Sequence, residues 1–340
     1  MKKSIFLVGL ATLALASCSQ EESVTGSDSS LNAISFGTFV EKATKGTPVT
    51  GTTFPTDGDF LVIGYSTSST LTAAAAYPNF MRQTVTYDGT SYNYSPLRYW
   101  PSSGYVSFFA VSPASVSTIT PAAVSTATAA LPAVSYAVDT DPVDQVDLML
   151  ASAVNKTSAD GTVAFTFTHA LTKIGFTAKL AADYGANGTY IRINSISLKN
   201  VAGTADYTSA EGGAWSQTTP TDFTSTFTLD YLKNLVDNGS VSSTTAKTMV
   251  LDNSYLMMAP YTYSSTSSAT TAALEVVYTI TNADGTTSTV TSSTLLQNLA
   301  VAGYTWAAAG AITYNLTITL NAVSFSASMT DWSTASSVSL

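Results

Sequence analysis

The chain has 340 residues and a mass of 35.3 kDa, low for its length because 46 Ser and 55 Thr supply small side chains. Thirteen Lys and Arg against 22 Asp and Glu give a net charge of −9, so the chain cannot hold a phosphate backbone by bulk electrostatics and no nucleic-acid partner is expected. One His and one Cys exclude a Cys/His zinc cluster and a disulfide framework, so no cofactor or metal is expected and the composition does not read as an enzyme's.

The N-terminus carries Lys2 and Lys3 and then a mostly apolar run, Ile5 to Ala16. That run has signal-peptide length and falls short of the roughly 20 residues a bilayer span needs. It ends in Leu15-Ala16-Ser17-Cys18, which resembles a bacterial lipobox, with the chain's only thiol at Cys18. The spacing predicts a signal peptide over 1–17 and lipidation of Cys18, with acyl chains holding the mature protein to the outer membrane. An ordinary secretory signal with an incidental Cys is the plainer reading. Residues 18–30 are polar and aperiodic and read as a flexible tether.

Ile34, Phe36, Thr38 and Val40 then alternate with other residues, which predicts a strand with one apolar face. Lys42 and Lys45 follow within a Gly- and Pro-containing stretch over 41–51. Such a loop is a good target for a trypsin-like protease, though it also fits a plain strand-to-loop junction. Continuous apolar runs at 60–65 and 105–111 read as buried strands. Between them Tyr92, Tyr94, Tyr99 and Trp100, with Tyr105, form either a sugar-stacking platform or ordinary core aromatics. Residues 113–132 are rich in Ala, Ser, Thr and Pro and read as a surface connection.

The acidic run Asp139 to Asp147 offers oxygen ligands, but Val143 and the absence of a closing Glu depart from a calcium loop, so a turn is the plainer reading. A polar stretch near 153–161 suggests a boundary between an N-terminal domain over 31–155 and a C-terminal domain over 156–340. Val163, Phe165, Phe167 and His169 share one strand face, with His169 expected to be a half-buried structural residue. Alternation recurs at 174–180, 274–280 and 314–320. The only helical spacing is at 230–238, where Leu232, Leu235 and Val236 precede Gly239. Asp88-Gly89, Asn187-Gly188, Asn238-Gly239 and Asp284-Gly285 supply turn signals. Many short strands between such turns predict an all-β fold of β-sandwiches.

The lipobox, AISFGTF followed by KATKG, SPLRYWPSSGYVSFFAVSP (95–113), VDLMLA (146–151), FTFTHALTKIGFTAKL (165–180) and YNLTITL with the later DW (314–332) occur in an order similar to that of the Bacteroidales fimbrillin family, the FimA-like and Mfa-like type V pilins. The resemblance implies two tandem transthyretin-like (Greek-key) β-sandwich domains after a cleaved lipoprotein signal peptide. It implies a cell-surface precursor in which cleavage at Lys42 or Lys45 by a trypsin-like protease releases the first strand, bearing Ile34, Phe36 and Val40. The open groove then accepts a donor strand from another fimbrial subunit, and the C-terminal segment with Val323, Phe325, Ala327 and Met329 is the candidate donor. The alternative is a monomeric or tip lipoprotein adhesin that binds a glycan or host ligand through an exposed aromatic cleft.

Overall fold

The computed structural model describes residues 33–40, 58–72, 79–115, 118–120, 131–234, 236–237, 241–242, 247–248 and 255–331. The first strands are β1 (Phe36–Val40), β2 (Asp59–Thr67), β3 (Asn79–Tyr87), β4 (Tyr92–Asn93), β5 (Tyr105–Ser112), β6 (Thr118–Thr120), β7 (Ala133–Ala137), β8 (Met149–Lys156) and β9 (Val163–His169). Then come β10 (Thr172–Leu180), β11 (Tyr190–Val201), β12 (Thr204–Ser209), β13 (Trp215–Gln217), β14 (Ser225–Asn234), β15 (Val236–Asp237), β16 (Val241–Ser242) and β17 (Lys247–Thr248). The last are β18 (Leu256–Met258), β19 (Tyr261–Thr262), β20 (Ala273–Thr281), β21 (Thr287–Leu295), β22 (Thr305–Trp306), β23 (Gly310–Ile318) and β24 (Val323–Asp331). The fold is all-β, as the residue pattern predicts.

A seven-stranded sheet runs in the order β1-β9-β8-β5-β2-β3-β4. A second sheet runs β17-β10-β23-β24, with β18 also paired to β10; a third runs β14-β11-β20-β21; a fourth runs β13-β12-β7-β6. Most pairs are antiparallel, but β1 lies parallel to β9 and β10 parallel to β23.

Two apolar clusters explain the two kinds of strand pattern. Phe60, Val62, Val106, Phe108 and Ala110 face a cluster enclosed by the first sheet itself, together with Ile34, Phe36, Phe165 and Phe167. Leu61, Ile63, Phe109 and Val111 face the opposite way, into a larger cluster shared with the other sheets. Strands β2 and β5 are thus covered on both faces, which is why they read as unbroken apolar runs. Strand β9 is covered on one face only, so Val163, Phe165 and Phe167 are buried while Ala164, Thr166 and Thr168 are exposed. Fully burying a Phe side chain contributes about 1.5–3 kcal/mol, so these faces hold the sheets in register.

Three of the expected turns are formed, with Gly89, Gly188 and Gly285 at φ +100, +71 and +83. The fourth, Asn238-Gly239, lies outside the described residues. Much of 113–132 does too, although β6 sits within it. The expected helix over 230–238 is a correction. Residues 225–234 form β14, paired to β11 from Val201 to Arg192. Two bulges in that ladder accommodate the pairing, and the cross-strand partner overrides the local helical spacing.

The expected division at 155/156 meets a continuous sheet. Strand β9 pairs with β8 and β1 and belongs to the first sheet, while β7 pairs with β12 across the same point. No helix among the described residues is long and apolar enough to cross a membrane.

Candidate functional site

The first strand occupies the edge of the seven-stranded sheet and closes it. On one side β1 pairs with β9 from Phe36 opposite Val163 to Val40 opposite Phe167, and the Val163 N–H donates to the Ser35 carbonyl at 2.8 Å. On the other side it meets the far end of the same sheet. The Ile34 N–H donates to the Arg98 carbonyl at 2.9 Å, and the Tyr94 hydroxyl donates to the Ile34 carbonyl at 2.8 Å. Ala33 bridges to Tyr99, and the Thr38 hydroxyl donates to the Tyr92 hydroxyl at 2.7 Å. The backbone at the N-terminal end of the strand is therefore satisfied from two sides, as a buried peptide requires.

The side chains follow the alternation. Ile34 and Phe36 are buried at 2% and 5% exposure. The Phe36 ring lies 5.3 Å from Tyr94, 5.5 Å from Phe108 and 5.6 Å from Phe165, centre to centre. These tilted, edge-on and stacked contacts favour aromatic packing beyond area burial alone. Lifting the strand out would open a slot lined by Phe108, Phe165 and Tyr94 and would free the edge of β9. Val40 ends the ladder through its backbone. Cys18, Lys42 and Lys45 lie outside the described residues.

Sequence reasoning finds the strand but not its clamp. Tyr94 and Arg98 precede and follow a turn with no local signal of a partner some sixty positions earlier, so only the fold reveals them. The supposed sugar platform resolves differently. Tyr94 and Trp100 are buried in the first sheet's own cluster, Tyr92 is half-buried against β1, and Tyr99 alone of the four is well exposed, at 48%.

The candidate donor residues stand in the chain's own sheet. Strand β24 pairs with β23 without interruption from Val323 opposite Ile318 to Asp331 opposite Gly310. Val323 is buried, Phe325 and Ala327 pack partly buried against the larger cluster, and Met329 is 47% exposed.

His169 is buried rather than half-buried. Its Nδ1 lies 2.9 Å from the carboxylate of Asp147, which is itself buried. Lys173, two positions into β10, is also buried and places its Nζ 3.8 Å from the centre of the Tyr255 ring. Burial pushes the Asp147 carboxyl upward, opposed by its bond to His169. Burial lowers the Lys173 ammonium to about 8, opposed by Asp147. These charges compensate one another in the core. Asp147 is thus the structural partner of His169. The Asp139 and Asp141 side chains accept backbone N–H bonds from Asp141 and Val143 and build a turn. Among the described residues no group of three His, Cys, Asp or Glu side chains is placed to hold a metal.

Strand β1 is thus clamped in a groove of its own sheet. The chain aligns with Fimbrium subunit Fim1C of Phocaeicola vulgatus at 30% identity over 190 residues, covering 51% of this chain and 50% of that protein's length. Its fold is shared with a crystal structure of a fimbrial protein from Bacteroides vulgatus, at 23% identity and a TM-score of 0.64, covering 88% of this chain and 99% of the other. The model of the fimbrillin-like family matches residues 47–332, most of the sequence, and the chain belongs to that family.

Proposed function

We propose that the chain is a structural subunit of a cell-surface fimbria, exported as a lipoprotein anchored through Cys18 to the outer membrane and assembled by strand exchange. Membership of the fimbrillin-like family supports the fimbrial role. The observation that carries the assembly step is β1 itself. It is a short strand with two buried apolar anchors, held by non-covalent contacts and followed at once by Lys42 and Lys45. Cutting after either Lys by a trypsin-like protease leaves β1 attached to the subunit only through those contacts. A better-fitting strand can then replace it by β-augmentation. A head-to-tail contact of this kind does not close and so builds a filament.

The donor in this reading is the C-terminal segment of another subunit. Ala322-Val323-Ser324-Phe325 repeats the order of Ala33-Ile34-Ser35-Phe36, an aliphatic and an aromatic residue on one face. Exchange would require β24 to leave β23, so donor release is the costly step. The two-domain organisation of the family remains the frame we propose for the subunit.

The test is limited trypsin treatment of purified precursor, followed by light scattering and electron microscopy. Cut parent protein is expected to form oligomers joined in series, while Lys42→Ala/Lys45→Ala protein keeps the size of the untreated chain. Equal polymerisation by the double variant, or a cut parent that grows no larger than the untreated chain at high concentration, rejects the mechanism.

A further inference from the structure

The third sheet ends in β21, and that edge has an unusual sequence. Residues 286–294 read Thr-Thr-Ser-Thr-Val-Thr-Ser-Ser-Thr, which is symmetric about Val290 in side-chain class. Thr289 mirrors Thr291, Ser288 mirrors Ser292, Thr287 mirrors Ser293 and Thr286 mirrors Thr294. The strand carries no charge and no Pro, the devices that ordinarily guard an edge, and its ladder to β20 has no bulge. Among the described residues β21 pairs with β20 alone.

The hairpin fixes which backbone groups point outward. The Asn282 N–H donates to the Thr286 carbonyl at 2.8 Å, and the Gly285 N–H to the Asn282 carbonyl at 2.9 Å. In an antiparallel ladder bonded pairs recur at every second residue, so Ser288, Val290 and Ser292 bond inward to Ile280, Tyr278 and Val276. The N–H and C=O groups of Thr287, Thr289, Thr291 and Ser293 then face the free edge, and all four residues are exposed.

We infer that β21 is a self-complementary edge that pairs antiparallel with β21 of a second copy, about a two-fold axis through Val290. That axis sets Thr289 opposite the partner's Thr291 and Thr287 opposite the partner's Ser293. These are the residues whose backbone groups point outward, so each opposed pair exchanges both hydrogen bonds. Val290 meets its own counterpart in the closer, non-bonded position, and Ser288 meets Ser292. The electrostatics are permissive. Two copies of a chain with net charge −9 repel at most surfaces, but this contact opposes no charged pair. The nearby Glu275 on β20 is neutralised by Lys199 at 2.5 Å. The contact is isologous, so it closes at two copies. Independent of strand exchange, it would gather neighbouring filaments side by side if the subunits also polymerise, since many weak edges act together.

The experiment uses the full, uncut chain. Thr289→Lys/Thr291→Lys opposes like charges twice across the axis, whereas Thr289→Lys/Thr291→Glu opposes unlike ones at the same exposed positions. Sedimentation velocity over a concentration series at low salt is expected to show dimer for the parent and the Lys/Glu variant, and loss of dimer for the Lys/Lys variant. In a Cys18→Ser background, Val290→Cys is expected to oxidise to a covalent dimer and Ser216→Cys, on exposed β13, to remain monomeric. A Lys/Lys variant that associates like the parent overturns the proposal. So does a Val290→Cys protein that cross-links no more than Ser216→Cys.

Discussion

His169, the only histidine, ends β9 with its ring held by Asp147, and Lys173 enters the same buried region from β10. The residue pattern places His169 on an apolar face and so reads it as structural, but Asp147 is hidden within an acidic run that reads as a turn. Nothing local distinguishes the one Asp that folds inward from the others that stay out. The Lys173 ammonium gives a pH signature. Its folded value is lowered to about 8, against roughly 10.4 for a free Lys. Between those values the unfolded chain binds more protons than the folded one, so this group raises stability as pH rises. Below about pH 8 its burial cost is present in full. Chemical denaturation of the parent and Lys173→Met should show their stability difference moving in the parent's favour from pH 8 towards pH 10. A difference that stays flat over that range rejects this role for Lys173. Phe165, with no exposure, gives a second test: Phe165→Ala should cost about 3–5 kcal/mol and lower the denaturation midpoint. An unchanged midpoint would show that the face assignment is wrong.

Strands were legible from sequence wherever one neighbour decides the pattern. β1, β9, β20 and β23 alternate because one face is covered, and β2 and β5 run apolar because both are. Legibility fails where a distant partner decides. The spacing at 230–238 favours a helix in isolation, yet β14 is drawn into a ladder with β11. The division expected at 155/156 follows a polar stretch that proves to be a connection between two strands of one sheet. For β1 the anchors were readable and the clamp was not. Phe36 contributes ring contacts to Tyr94, Phe108 and Phe165, so Phe36→Ala should cost about 3–5 kcal/mol. Tyr94→Phe removes the hydroxyl that donates to the Ile34 carbonyl and accepts from the Arg98 N–H, and should cost about 0.5–1.5 kcal/mol for each bond lost. Hydrogen exchange offers the sharper reading. Both variants should speed exchange at the Val163 amide, which donates to Ser35, and leave the β20 amides slow. Equal acceleration in β20 would mean that β1 is not a locally held element.

At the scale of the molecule the two clusters divide the consequences of losing β1. The smaller cluster is enclosed by the first sheet and includes Ile34 and Phe36, while the larger one contains neither. Losing Ile34 and Phe36 therefore strips side chains from the smaller core alone, together with the edge hydrogen bonds of the strand. The tryptophans report the two regions separately. Trp100 is buried in the smaller cluster, 6.0 Å from Phe108, and Trp306 is buried in the larger one, where its ring N–H donates to the Tyr314 hydroxyl at 2.9 Å. Two single-reporter proteins can be made in a Trp215→Phe/Trp332→Phe background, one with Trp306→Phe and one with Trp100→Phe, each compared before and after trypsin cleavage and separation of the N-terminal fragment. In the intact chain the two reporters should unfold together, since β2 and β5 contribute side chains to both clusters. In the stripped chain the Trp100 signal should shift to longer wavelength and lose its structure at lower denaturant than the Trp306 signal. Adding a synthetic strand with the sequence of residues 33–40 should bring the two transitions back together. If both reporters move to the same lower midpoint, the cores are one cooperative unit and an emptied groove could not persist while awaiting a donor.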